Sequence, residues 1–243
     1  MKPTLTPSKS EEVLHLDYKE KDTIWLTRQD SLRKLVGILG ILLPIFLYGF
    51  LRLDTGYSSP LESLSHYYFT RVSGVFVIVV SLLAVFLLIY KGEEPIDFYT
   101  SGIAGLFALF VVLFPTSNIT DICFDQDKPY SVTVLPENVF RYYFHYASAA
   151  IFLLSLAFMS LFLFTKSDKP VSKRTEGKKN RNRVYRTCGV IMILALCTIF
   201  AGFLHLINEA FFTDHHLTFW MESLAVESFG IAWLTKAEVF FKD

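Results

Sequence analysis

Two carboxylates stand inside an apolar run of membrane-spanning length. They are Glu222 and Glu227, in the stretch Phe219 to Glu238, FWMESLAVESFGIAWLTKAE. A charged group in the centre of a bilayer costs roughly 2.5–3.5 kcal/mol even on lenient insertion scales, so such residues are expected to face a bundle interior and to have partners. Candidate partners follow from the other polar residues near the ends of apolar runs: Arg71, His66, His145 and His205. Arg71 and Glu222 have opposite sign and comparable depth, about 4–6 Å inside their helix starts, which predicts an ion pair between helices. Glu222 and Glu227 are five residues apart, about 140° of net rotation, and so point to different sectors of one helix. The helix carrying them is therefore expected at the middle of the assembly. His205 and Glu209 are four residues apart, on one face, near the end of their run.

These residue types suggest two kinds of chemistry. Arg71, Glu222, Glu227, His205, His145 and His66 suit the recognition of a small solute or lipid headgroup, or a relay of charge. Alternatively His66, His145, His205 and Glu222 are the ligand types that zinc takes, with Glu227 left over as a base. No H-E-x-x-H and no pair of histidines four residues apart is present, so the expectation is no metal and no cofactor, with zinc as the alternative.

The elements that must position these residues are apolar runs near the 20 residues a helix needs to cross hydrocarbon. Six are expected: about 35–53 (with Pro44 inside), 68–90, 98–115, 142–165, 187–207 and 218–235. They are preceded by a polar segment, 1–34, and followed by a short tail, 239–243. A basic linker, 166–186, joins the fourth and fifth runs. Long apolar runs satisfy their backbone only as helices, so the fold class is an all-α six-helix transmembrane bundle. Aromatic clusters at run ends, Tyr67 to Phe69, Tyr142 to Phe144, and Phe219 with Trp220, read as interfacial belts. Residues 11–30 carry the weak pattern of an interfacial helix. The first 34 residues hold no short apolar core, so the expectation is an uncleaved N-terminus. Small residues mark expected helix contacts: Ser101, Gly102, Ala104, Gly105 and Ala108; Ala147 to Ala150 with Ser155; and Gly189 with Ala195.

With six spans, every Lys and Arg except Arg52, Arg71, Lys128 and Arg141 falls on the side of the two termini, which the positive-inside rule makes cytoplasmic. The same parity brings every histidine but His15 to the opposite side. The linker KSDKPVSKRTEGKKNRNRVYR reads as the topology determinant, or more sharply as an anionic-lipid patch.

Composition agrees. The 243 residues are 52% hydrophobic, 16% aromatic and only 19% charged, with mean hydropathy +0.41 and zero net charge. A neutral chain gives no electrostatic case for nucleic acid. Cys123, Cys188 and Cys197 form no metal or disulfide spacing.

Ser63-x-x-His66 with Asp97 and Gly102-Ile103 resembles, in part, the membrane metal-hydrolase group of alkaline ceramidases and adiponectin-type receptors. That group gathers its Ser/His and Asp motifs near one membrane face and completes its site with a later His-x-x-x-His. Here His66 and Asp97 bracket the second span from opposite ends and no His-x-x-x-His exists, so the chain is not assigned to it. The strings SLSHYYFTRVSGVFV, GIAGLFALFVVLFPTS, HYASAAIFLLSLAFMSLF and FWMESLAVESFGIAWLTKAE resemble a family of small, uncharacterised bacterial membrane proteins. That resemblance covers most of residues 60–238 and implies a fold, not an activity; the expected location is the bacterial inner (plasma) membrane.

The functional expectation is thus an outward-facing polar intramembrane pocket for a small solute or lipid headgroup. A scaffold or subunit whose buried charges are purely structural, and an intramembrane metal-dependent lipid hydrolase, are the alternatives. Membrane lipids are expected partners, a homo-oligomer is open, and for a subunit the acidic 116–138 loop or the basic linker would meet another protein.

Overall fold

The structure is a computed structural model that describes residues 29–119, 131–167 and 169–242. The segment 11–30 lies almost wholly outside the described residues, as do Cys123, Lys128 and the middle of the 116–138 loop, 120–130. The described chain is helical: α1 Gln29–Thr55, a 3₁₀ helix Leu64–Phe69, α2 Ser73–Ile89, α3 Pro95–Leu113, α4 Val139–Phe158, α5 Glu176–Phe203, the short α6 Glu209–Asp214 and α7 Leu217–Lys236. Among the described residues four helices are long and apolar enough to cross a membrane: α1, α3, α4 with its continuation to Leu163, and α5. The apolar α2 is shorter, at 17 residues. Helix α7 has 20 residues, and its two glutamates and two serines dilute its apolar character.

Local chemistry sets the helix ends. At α3, Glu94 is the N-cap, Pro95 the first helical residue, and Asp97 Oδ2 accepts from the backbone N–H groups of Glu93 and Glu94 at 2.9 and 3.0 Å. This capping box satisfies donors that no helical carbonyl reaches. Gly92 precedes it at φ +68°, where an added Cβ would lie 2.2 Å from that of Asp97, so only glycine fits. Asn138 caps α4 and Thr175 caps α5, accepting from Arg141 N and Lys178 N at 3.0 and 3.1 Å. The cap at Thr175 turns much of the basic linker into helix, so α5 begins eleven residues before the run expected from Thr187. Past its α-helical part, α4 closes with a π turn, Met159–Leu163, where Ser160 Oγ donates to Tyr185 O at 2.8 Å.

The main packing partners form a circuit, α1 to α2, α2 to α3, α3 to α4, α4 to α5, α5 to α7 and α7 back to α1. The interior is filled: Trp233 of α7 stacks edge-on with Tyr90 and Phe164, at centroid distances of 4.9 and 5.5 Å. Helix α7 is a member of this circuit, packed between α1 and α5, rather than a central post. Its seam with α1 is tight. A Cβ on Gly37 would stand 2.8 Å from Gly230 O, and one on Gly230 would stand 2.6 Å from Gly37 O. Gly105 likewise presses on α2, where an added Cβ would stand 2.6 Å from Ala84 O, whereas one on Gly102, another expected contact, would meet nothing within 4 Å.

Two further expectations shift. The second run does not begin as an α-helix at Tyr68. Thr70 is extended, and its hydroxyl donates to Tyr67 O and accepts from Val72 N at 2.8 and 3.3 Å, which delays the helix to Ser73. The backbone of Phe69 is engaged by Val132 N at 2.9 Å. Tyr67, Phe69 and Phe219 are consequently buried core residues and not an interfacial belt; Trp220 and Tyr143 do face outward.

Candidate functional site

Polar side chains collect at both ends of the bundle. One, here the histidine end, holds the 3₁₀ helix, the last turn of α3 and the first turns of α4 and α7. The other, the basic end, holds the α2–α3 turn, the α4–α5 linker and the end of α7.

At the histidine end, His66 is buried, with Nδ1 2.7 Å from Ser63 Oγ. Its Nε2 lies 3.3 Å from Glu62 Oε2, outside hydrogen-bond geometry. Burial pulls its pKa below the ordinary value of 6.5, against the opposing charge of Glu62. His145 is also buried and donates Nδ1–H to Phe114 O at 2.8 Å; the carbonyl can only accept, so the proton is on Nδ1 and Nε2 is left as an acceptor. The two imidazoles are close enough to interact electrostatically. At the same end Tyr67 Oη and Thr116 Oγ1 are buried without a hydrogen-bond partner among the described residues.

Glu222 accepts from Leu64 N at 2.8 Å. That N–H opens the 3₁₀ helix, where no intrahelical carbonyl serves it. Ser63, the residue positioned to cap it, makes no side-chain cap bond, and its hydroxyl is on His66. A carboxylate 158 residues away therefore does the capping. The predicted Arg71–Glu222 ion pair does not form. Arg71 reaches Asp54 instead, Nη1 to Oδ2 3.5 Å, with its side chain 52% exposed. Thr70's extended turn puts Arg71 before the start of α2 rather than within it, and Asp54, at the end of α1, is its ion-pair partner among the described residues.

His205 also leaves the constellation. Helix α5 stops at Phe203, and His205 takes φ +55° beyond the cap, so its side chain is 75% exposed and its approach to Glu209 is 3.9 Å between two open groups. The set His66, His145, His205 and Glu222 is thus not brought together. Among the described residues no group of three or more His, Cys, Asp or Glu is placed to hold a metal ion.

The two glutamates of α7 part company. Glu222, Val226, Phe229 and Trp233 fall on one face by helical spacing, and the three apolar residues are buried. Trp220, Leu224, Glu227 and Ile231 form the opposite stripe, with Trp220 52%, Leu224 41% and Ile231 41% exposed. Glu227, itself half-buried, therefore lies on the outward-facing stripe of α7, contrary to the expectation that both carboxylates turn inward. The reason is the seam: the glycine contacts at Gly37, Gly40 and Gly230 and the bulk of Phe229 and Trp233 decide which side of α7 goes in. Among the described residues Glu227 has no hydrogen bond or ion pair.

The basic end is built differently. Lys236 Nζ meets Glu93 Oε1 at 2.8 Å, Lys166 pairs with Glu94, and Arg181 Nη1 reaches Glu238 Oε1 at 3.2 Å and Phe241 O at 2.6 Å. Lys178 Nζ donates to Phe164 O at 3.1 Å. The hydrogen bond and charge of Lys236 hold the Glu93 carboxyl below its usual range. The linker read as a topology signal is thereby also a source of ties between elements.

The surface of the described residues has shallow hollows, these two among them. One, of about 400 Å³, is an open apolar groove along α4 lined by Thr100, Ile151, Leu154, Ser155, Phe158 and Phe162. The other, of about 370 Å³, lies over Lys91 to Tyr99. Neither includes His66, His145 or Glu222. The fold and its polar ends define a class, an all-helical protein with several helices suited to a membrane. No family model matches the chain, and no curated protein or solved structure is similar to it.

Proposed function

We propose that this chain is a multi-pass membrane subunit: six crossings, both termini cytoplasmic, its inward polar groups serving the fold and its outer surface serving association. The six crossings are α1, α2, α3, α4, α5 and α7. The basic end carries Lys166, Lys178, Arg181 and Lys236 and is the cytoplasmic one by the positive-inside rule. The resemblance of the sequence to small bacterial membrane proteins favours an inner-membrane location.

The observation that carries this reading is the hydrogen bond from Leu64 N to Glu222. The inward carboxylate of the bundle is consumed in capping a backbone turn and in holding that turn to α7. Trp233, Tyr90 and Phe164, in contact with one another near the basic end, fill interior space that a solute path would need, which supports the subunit reading.

A second reading is favoured by one feature. Among the described residues Tyr67 Oη and Thr116 Oγ1 are buried without a hydrogen-bond partner at the histidine end and His66 Nε2 has only Glu62, at 3.3 Å, and buried polar atoms ordinarily have hydrogen-bond partners. A small polar solute or headgroup reaching that end would supply them.

Flux separates the two. Purified protein in proteoliposomes should leave proton and alkali-cation leak at the level of protein-free vesicles, and Glu222→Gln should not change it. A flux above that level that Glu222→Gln abolishes would overturn the subunit reading.

A further inference from the structure

The exterior of α7 holds the group that the subunit reading leaves unexplained. Glu227 is the eleventh residue of a 20-residue helix, so it lies about 15 Å from either end, at the level of the bilayer centre. Itself half-buried, it sits on the stripe of Trp220, Leu224 and Ile231, all exposed, and has no internal partner among the described residues. The helices packed on either side of α7 also carry exposed apolar residues, Ile38 and Ile45 on α1 and Val190 and Leu194 on α5. A carboxyl group there meets hydrocarbon unless another protein covers it, and intramembrane ionisable groups pair.

We infer that the α7 stripe docks a transmembrane helix of a different polypeptide that brings a basic side chain to the depth of Glu227. Charge complementarity selects that occupant. A second copy of this chain has no such group to offer: no Lys or Arg occurs between Lys34 and Arg52, Arg71 and Lys91, Lys91 and Lys128, Arg141 and Lys166, or Arg186 and Lys236. Every cation of the six crossings is therefore near an end, where it cannot reach a mid-membrane carboxylate. The inference rests on the subunit reading and gives it a partner class.

The test uses the full chain in lipid vesicles with single-span leucine–alanine peptides as probes, association being read by energy transfer. A peptide with one central arginine should associate about tenfold or more tightly than the all-apolar peptide. Moving the arginine seven residues toward either end, or replacing Glu227 by Gln, should remove the preference. Glu227→Gln should retain the wild-type melting temperature, since the side chain supports nothing internal. Equal association of arginine and apolar peptides, or a preference that survives Glu227→Gln, overturns the inference. So does self-association of the chain that disappears with Glu227→Gln. If vesicle leak stays at the protein-free level while the peptide preference is missing, this inference alone fails; a Glu222-dependent leak fails the subunit reading itself.

Discussion

The two ends of the bundle solve the same problem with opposite means. At the basic end, long flexible side chains reach across elements distant in sequence, and most of their carboxylate partners remain open to solvent: Glu93, Glu94 and Glu238 all have side chains at least half exposed. At the histidine end the polar groups are short or rigid and enclosed, and they bind backbone: His145 to Phe114 O, Glu222 to Leu64 N, Thr70 to Tyr67 O. The difference teaches where the fold tolerates change. An exposed ion pair contributes about 0–1 kcal/mol because water competes for both partners. A buried backbone group stripped of its partner has no such substitute and costs about 1–3 kcal/mol.

The largest effect should come where both ends are joined, at the α1–α7 seam. Gly230→Val places carbon atoms where Gly37 O already stands, so the helices must separate along their length. A loss of about 3 kcal/mol or more is expected in detergent or bicelle unfolding, at the upper end of overpacking costs. A variant of near-native stability would show that the two helices are less tightly joined.

The pH response of the histidine end comes next. His66 has its folded pKa below the ordinary 6.5, so the unfolded chain binds the proton more readily. Its contribution is present above pH 6.5 and is lost as pH falls below that value toward the folded pKa. Wild type should therefore lose stability between pH 7.5 and the mildly acidic range, and His66→Gln should flatten that segment of the curve. An unchanged slope in the variant would show that His66 is not the group responsible.

The smallest effect belongs to the basic end. A double-mutant cycle on Lys236 and Glu93, each to Ala, should give a coupling of about 0.2–1 kcal/mol that shrinks with added salt. A coupling several times larger and insensitive to salt would erase the contrast between the ends.

Much of this was legible in the residues themselves. The helical class follows from the apolar runs, and parity alone brings His66, His145 and Glu222 to one end without any coordinate. What sequence does not carry is the identity of a backbone partner. Leu64 N–H has no side-chain signature, so Glu222 invites a search for a cation and finds the wrong one in Arg71. Local turn chemistry at Thr70 also moves Arg71 out of the span that its apolar neighbours suggest. The separation of Glu222 and Glu227 into different sectors was readable from helical rotation. Which sector faces inward was not, because the close glycine contacts Gly37 and Gly230 are made between helices that are far apart in the chain. The large inward residues, Phe229 and Trp233, were the available signal, spaced seven and eleven residues after Glu222.

The central claim, that one glutamate of α7 supports the fold and the other faces out toward a partner, is tested most directly by unfolding Glu222→Ala and Glu227→Ala side by side in the same bicelles. Glu222→Ala strands Leu64 N–H and should cost about 1–3 kcal/mol, while Glu227→Ala should stay within about 0.5 kcal/mol of wild type. Equal losses, or a larger one at Glu227, would contradict the account.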